Sequence, residues 1–302
     1  ILIIFFSVIS EKKIYTIATL FFFIFFISLL LVPIFGLEIK GSRRWLDFPF
    51  LPRFQPIEFL KPFLIIFLSL VIGSRFTSNN YFKFFLSSLI VLPILILLVL
   101  QPDIGQTLLI SSVWLSLIFV SGINLYFLNF LIVFSLSILS YLIFYIPKFS
   151  YIKFRISNFF DLSSKGNYQS QKATDAIVDG GFFGKGIGEG ILNARVPEAH
   201  TDYVISVISE EFGILLILFI LTIFLILVFK VFKKIPNEKN NSNKLILIGS
   251  ILLIIFQVLI HIGVNIRLLP TTGMTLPFLS YGGSSLLSCS ILAGLILNFT
   301  KR

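Results

Sequence analysis

The sequence predicts an all-α protein that crosses a membrane many times, and three observations carry that prediction. Only 13% of the 302 residues are charged and 57% are hydrophobic, with a mean hydropathy of +1.00. A soluble domain carries roughly 25% charged residues. Charges are absent over long runs, at 14–37, 84–102, 104–147, 212–229, 245–266 and 268–300, and a helix needs about 20 apolar residues to cross the hydrocarbon layer. The remaining polar residues are gathered: eight of the fourteen acids lie between Asp161 and Glu211, and seven glycines lie between Gly166 and Gly190.

The elements follow from these runs. Residues 1–9 read as the tail of a span whose start is missing, because the chain opens on Ile1 inside an apolar stretch. No basic segment precedes them and no cleavage site follows, so they do not read as a signal peptide. Glu11-Lys12-Lys13 leads into a span at 14–35, followed by a polar loop at 36–56 and spans at 57–74 and 84–100. The 44-residue run 104–147 is too long for one crossing, and Ser121-Gly122-Ile123-Asn124 supplies a turn that divides it into spans at 107–121 and 125–146. A large loop, 147–201, precedes the last three spans at 203–230, 244–266 and 282–299. The expectation is one domain over 1–302, truncated at its N-terminus, with eight complete transmembrane helices plus the end of another.

Alternation of the spans puts 11 of the Lys and Arg residues on one side and 13 on the other. The set of 11 sits in much shorter links, where basic residues hold a loop in the cytoplasm most strongly. The large loop is therefore expected to be extracytoplasmic. The net charge of +10 is spread between spans, with no basic helix interleaved with aromatics, which argues against nucleic acid. The single Cys289 lies in an apolar span, so neither a disulfide within the chain nor a Cys-based zinc site is expected.

Gly180–Gly190 looks at first like a phosphate cradle, but it lacks the Gly-Lys-Ser/Thr ending and no strand precedes it. Its glycines fit tight re-entrant turns near the membrane surface. His200 has no second His at ligand spacing and His261 is 61 positions on, so no metal site is expected. Asp202 opens a helix, where the macrodipole favours an ionised carboxylate; Asp202 or Thr201 could equally serve as that helix's cap. Arg43, Arg44 and Lys61 suit phosphate oxygens, by bidentate fork or point charge, or lipid head groups. Trp45 suits a sugar or prenyl chain, or an interfacial aromatic belt. Glu58 and Lys61, three apart, share a helix face, and charges at a span's end suggest a lined cavity or a structural pair. Leu268–Ser285 breaks helix with Pro270, Pro277 and three glycines. Such backbone is tolerated at membrane depth where it lines a cavity, and small residues there also suit helix packing.

Four segments, in order and spacing, resemble the SEDS family (shape, elongation, division and sporulation) of bacterial cell-wall glycan polymerases. They are Gly41-Ser42-Arg43-Arg44-Trp45 with Gln55-Pro56-Ile57-Glu58 and Lys61; Gln101-Pro102-Asp103-Ile104-Gly105; Tyr168-Gln169 through Gly180–Gly186 to Pro197-Glu198-Ala199-His200-Thr201-Asp202; and Leu268–Gly273 with Leu276–Ser285. The Pro-Glu-Ala-His-Thr-Asp form is more similar to the FtsW, cell-division branch than to the RodA, elongation branch. Ile57 stands where the family usually has Ser, and Arg267 where a small residue is common.

The resemblance implies a peptidoglycan glycosyltransferase that transfers a glycan on undecaprenyl pyrophosphate to the sugar hydroxyl of lipid II. Asp202 would be the base at the acceptor hydroxyl. Arg43, Arg44, Trp45, Gln55, Glu58, Lys61, Glu198, His200, Ser280, Gly282, Gly283 and Ser284 would contact substrate. It further implies a class B penicillin-binding protein and other division proteins as partners, in the bacterial inner membrane at the division septum. A divalent cation would help neutralise pyrophosphate, although no carboxylate cluster in the sequence demands one, and the cofactor is left open. Two other functions share the helix pattern: a lipid II flippase and a non-catalytic division scaffold.

Overall fold

Runs without charge become helices, because a backbone in lipid must satisfy its own polar groups. A computed structural model describes residues 1–39, 41–49, 52–74, 79–146, 149–160 and 168–301. Asp161 and Gly166, named above, and the first residue of the large loop, Pro147, lie outside the described residues. The helices are α1 (Leu2–Val8), α2 (Glu11–Phe35), α3 (Pro56–Gly73), α4 (Asn80–Leu100), α5 (Ile104–Val120) and α6 (Leu125–Tyr145). They continue with α7 (Ser150–Phe160), α8 (Tyr168–Gly180), α9 (Val204–Lys234), α10 (Asn241–Asn265) and α11 (Gly283–Thr300). Six of them, α2, α3, α4, α9, α10 and α11, are long and apolar enough to cross a membrane. Helices α5 and α6 occupy the other two expected positions.

Two features were not expected. The polar stretch after α2 holds an antiparallel hairpin, β1 (Leu37–Ile39) with β2 (Ser42–Trp45), turned by Gly41 at a φ of 75°. The large loop contains α7 and α8; α8 buries Ser170, Ala173, Ala176 and Gly180, one face at helical spacing.

The chain divides into two compact units, Ile1–Ile123 with Leu227–Phe256 and Gly282–Arg302, and Asn124–Ile226 with Gln257–Tyr281. In the first, phenylalanines hold α2 to α3. Phe21 stacks on Phe63 at 5.2 Å, Phe25 on Phe59 at 5.1 Å and Phe22 on Phe67 at 4.4 Å. Phe21 and Phe25 on α2, and Phe59, Phe63 and Phe67 on α3, lie four apart and so face one another across the two helices, an arrangement that adds about 0.5–1.5 kcal/mol per aromatic pair beyond burial. Pro33 has no N–H, so it leaves the carbonyl of Leu29 without its helical partner. The side-chain amide of Gln101 donates to that carbonyl at 3.4 Å. On α10, a Cβ at Gly249 would come within 2.7 Å of the Ile65 side chain, so a glycine there lets α10 approach α3 closely.

In the second unit α10 ends in a Schellman-type stop. The N–H of Leu268 reaches back to the carbonyl of Gly263 at 2.7 Å, and Arg267 takes the left-handed position with φ 59°. This is the position noted above as usually small, and its conformation is the reason: an L-residue there costs about 1 kcal/mol relative to glycine. Arg267→Gly should therefore raise the midpoint of thermal unfolding in detergent. A lower or unchanged midpoint would mean that the Arg267 side chain makes a compensating contact.

Candidate active site

The predicted site residues fall into two polar clusters, one in each unit. In the first, Gln55 precedes α3 with Pro56 at the first helical position, and Asp103 caps α5 by accepting from the Gln106 N–H at 3.4 Å. Asp103 also accepts from the Gln55 side-chain amide at 3.1 Å and lies 3.8 Å from the Arg44 guanidinium. Arg44 donates in addition to the carbonyls of Gln101 and Pro102. Burial pushes the Asp103 carboxyl up from its ordinary value, and the Arg44 charge opposes that shift. One helical turn into α3, Glu58 pairs with Lys61 at 2.8 Å and accepts from the Gln106 amide, all three side chains being buried. Ser284, in the first turn of α11, accepts from the Gln55 N–H at 3.3 Å.

Arg43 and Trp45 do not join this network. Arg43 is exposed and pairs across the hairpin with Glu38 at 3.2 Å, a solvent-side contact worth little. Trp45 is half-buried opposite Leu37. Gly282 is extended and caps α11, and Gly283 has open space where a Cβ would stand.

The second cluster is the turn Pro197–Asp202. Its apolar side chains anchor it: Ala199 and Tyr203 pack with Ala173, Val196 and Val264 in one buried core. Its carbonyls are then taken one by one. His200 O accepts from Tyr281 N at 2.9 Å, Thr201 O from the Ser280 hydroxyl at 2.6 Å, and Asp202 O from the Asn265 amide at 3.1 Å. Glu198 takes a left-handed φ of 60°, the kind of local strain that surrounding contacts must hold in place. The result leaves the Glu198 and His200 side chains exposed and Asp202 half-buried at the entry to α9. Burial, with the Asp202 charge beside it, pushes the Tyr203 phenol up, so Tyr203 stays protonated at neutral pH.

Three polar residues of α10, to which the sequence assigned no site role, hold irregular backbone, and one of them holds this turn. Gln257, His261 and Asn265 form one stripe of α10 at i, i+4 and i+8. Gln257 donates to Thr275 O at 3.0 Å, His261 Nδ1 lies 2.7 Å from Met274 O, and Asn265 holds Asp202. The stripe thus satisfies irregular backbone that lipid could not. Polar residues at that spacing in an apolar run were the available signal.

Glu210 is a fourth residue without an assigned role. Fully buried on α9, it accepts from the N–H groups of Leu192 and Asn193 at 2.7 and 2.6 Å, one to each carboxyl oxygen. It is a strut between α9 and the loop that leads into Pro197–Asp202. Glu210→Gln turns one acceptor into a donor facing an N–H, at a cost of about 1–3 kcal/mol. Amide exchange at Leu192 and Asn193 should speed up by about tenfold or more; unchanged exchange would remove the strut. Among the described residues no three His, Cys, Asp or Glu side chains group to hold a metal ion.

Comparison with known proteins gives this geometry a context. The family model FTSW_RODA_SPOVE, described as cell cycle protein, matches residues 1–302. A probable peptidoglycan glycosyltransferase FtsW of Francisella salina is 36% identical over 288 residues, covering 92% of this chain and 71% of that protein. The protein of the same name from Caulobacter vibrioides is 31% identical over 271 residues, covering 90% and 68%. The crystal structure of rod shape determining protein RodA from Thermus thermophilus superposes with a TM-score of 0.70 at 27% identity, covering 99% of this chain and 83% of that one. A chain of a peptidoglycan synthase complex that coordinates polymerization and crosslinking superposes with a TM-score of 0.81 at 27% identity, covering 99% and 85%.

Proposed function

The chain belongs to the FtsW/RodA/SpoVE family, the SEDS family of its motifs, and from that premise we propose that it is an FtsW-like peptidoglycan glycosyltransferase polymerising lipid II. Helices α5 and α6 complete eight crossings, and 147–201 lies on the extracytoplasmic side of the bacterial inner membrane, at the division septum. The partner is a class B penicillin-binding protein whose transpeptidase crosslinks the product.

The reading rests above all on the turn Pro197–Asp202. Its backbone is spent on Asn265, Ser280 and Tyr281 while its acidic and imidazole side chains are left to face outward or lie half-buried. Such a held turn is what a reacting group needs, since positions within about 0.5 Å decide rates. In this reading Asp202 takes the proton of the acceptor sugar hydroxyl, whose oxygen then forms the new glycosidic bond as the pyrophosphate-linked carrier departs. Glu198 and His200 contact the sugars, and Ser280 orients the turn. Arg43, Arg44, Trp45, Gln55, Glu58, Lys61, Gly282, Gly283 and Ser284 serve the phosphates and lipid, with cations offsetting charge on the leaving group.

The test is polymerisation of purified lipid II by the protein reconstituted in vesicles with its penicillin-binding partner. Long glycan strands are expected. Lipid II crossing the bilayer with no strands formed would replace the polymerase by a flippase, and neither activity would leave a scaffold.

A further inference from the structure

Helix α9 is broken. Gly213 has φ 79° and ψ 175°, so the helical hydrogen-bond ladder stops on one side of it and restarts on the other. The break stands at the head of the charge-free run 212–229. Those 18 residues rise about 27 Å as a helix, close to the ~30 Å hydrocarbon layer. The kink therefore sits at the edge of that layer, where unpaired backbone groups are costly.

The glycine-rich loop repairs the break. The N–H groups of Ile214 and Leu215 bond to the carbonyls of Gly181 and Phe182 at 3.0 and 3.4 Å. The carbonyls of Glu210 and Glu211 accept from the N–H groups of Lys185 and Gly186 at 2.8 and 3.0 Å. Close approach is enforced by glycine on both partners. A Cβ on Gly184 would lie 2.2 Å from the carbonyl oxygen of Glu211, and one on Gly213 2.2 Å from that of Phe182. The loop is thereby fixed at the level of residues 210–215. At that level it exposes four large apolar side chains: Phe182 at 71%, Phe183 at 82%, Ile187 at 78% and Ile191 at 69%. Its Lys185 is paired with Asp179 at 3.1 Å, which lowers the charge carried to that depth.

We propose that Phe182, Phe183, Ile187 and Ile191 insert into the bilayer, so that the glycine-rich loop is a lipid-seated anchor on the side where α9 begins. The occupant of this surface is the acyl-chain edge of the membrane. Single apolar residues on a surface need no explanation, but four on one loop, pinned by backbone bonds to the boundary of a span, do. The inference depends on α9 crossing the membrane and not on the polymerase reading.

The experiment is spin labelling in liposomes of phosphatidylethanolamine and phosphatidylglycerol. In a Cys289→Ser background, Phe182→Cys, Phe183→Cys and Ile187→Cys are each labelled with a nitroxide. Lys239→Cys, in the exposed link after α9, serves as the water reference. At the loop positions collisions with oxygen should exceed those with a water-soluble nickel chelate, the inverse of the ratio at position 239. Nickel access equal to the reference at the loop positions would overturn the proposal. So would protection from both reagents, or loss of oxygen access when the penicillin-binding partner is added, since either would make the surface a protein contact.

Discussion

Replacing Asp202 by asparagine is expected to slow lipid II polymerisation by about 10²–10⁴-fold, the usual contribution of a positioned general base. Asparagine is the informative substitution because it keeps shape and still caps a helix nearly as well as aspartate. The turn would also survive, because Asn265, Ser280 and Tyr281 hold it through backbone carbonyls that the substitution leaves in place. Thermal stability should therefore change little while kcat falls and KM for lipid II is retained, the signature of an interaction made in the transition state. The neighbouring Tyr203 cannot take over, since burial, the larger cause of its raised phenol, keeps it protonated even when the Asp202 charge is gone. An Asp202→Asn protein with the wild-type kcat would reduce Asp202 to a helix cap and end the base assignment.

What was legible in the sequence was local. Charge-free length gave five of the six helices long and apolar enough to cross, because crossing a membrane is a property of one contiguous run. The i, i+3 spacing of Glu58 and Lys61 gave their pair, now seen at 2.8 Å. The kink partners were not legible: Gly184 lies against the backbone of Glu211 and Gly213 against that of Phe182, and nothing near either glycine in the sequence encodes that. The same holds for Arg44 and Asp103, joined from the hairpin to the start of α5. The hairpin itself lacks the alternation that marks longer strands; it is two short arms about Gly41. Helices α7 and α8 were hidden by their polarity, since a search for apolar runs discards an amphipathic surface helix. The stripe of Gln257, His261 and Asn265 was visible in principle, and only its purpose, satisfying the irregular backbone before α11, needed the fold.

The buried pair on α3 leads to the second large effect. Lys61→Met leaves Glu58 as a buried charge without its cation, at a cost of about 3–5 kcal/mol, and loss of folded protein in detergent is expected. Adding Glu58→Gln removes the stranded charge. The double variant should regain most of the wild-type stability, because no buried charge is left unpaired and an amide oxygen at position 58 can still accept from Gln106. That recovery is what makes the pair informative. A chain that is 57% hydrophobic could seal the start of α3 with apolar side chains, yet it keeps a carboxyl and an ammonium there beside Gln106. If the charges serve substrate, the stable double variant should bind lipid II weakly, with KM raised by about tenfold or more, as expected when a hydrogen bond to a charged group is lost. A double variant with both wild-type stability and wild-type KM would assign Glu58 and Lys61 to structure alone. The two measurements belong together, since only a protein shown to be folded lets the change in KM be read as lost contact with substrate.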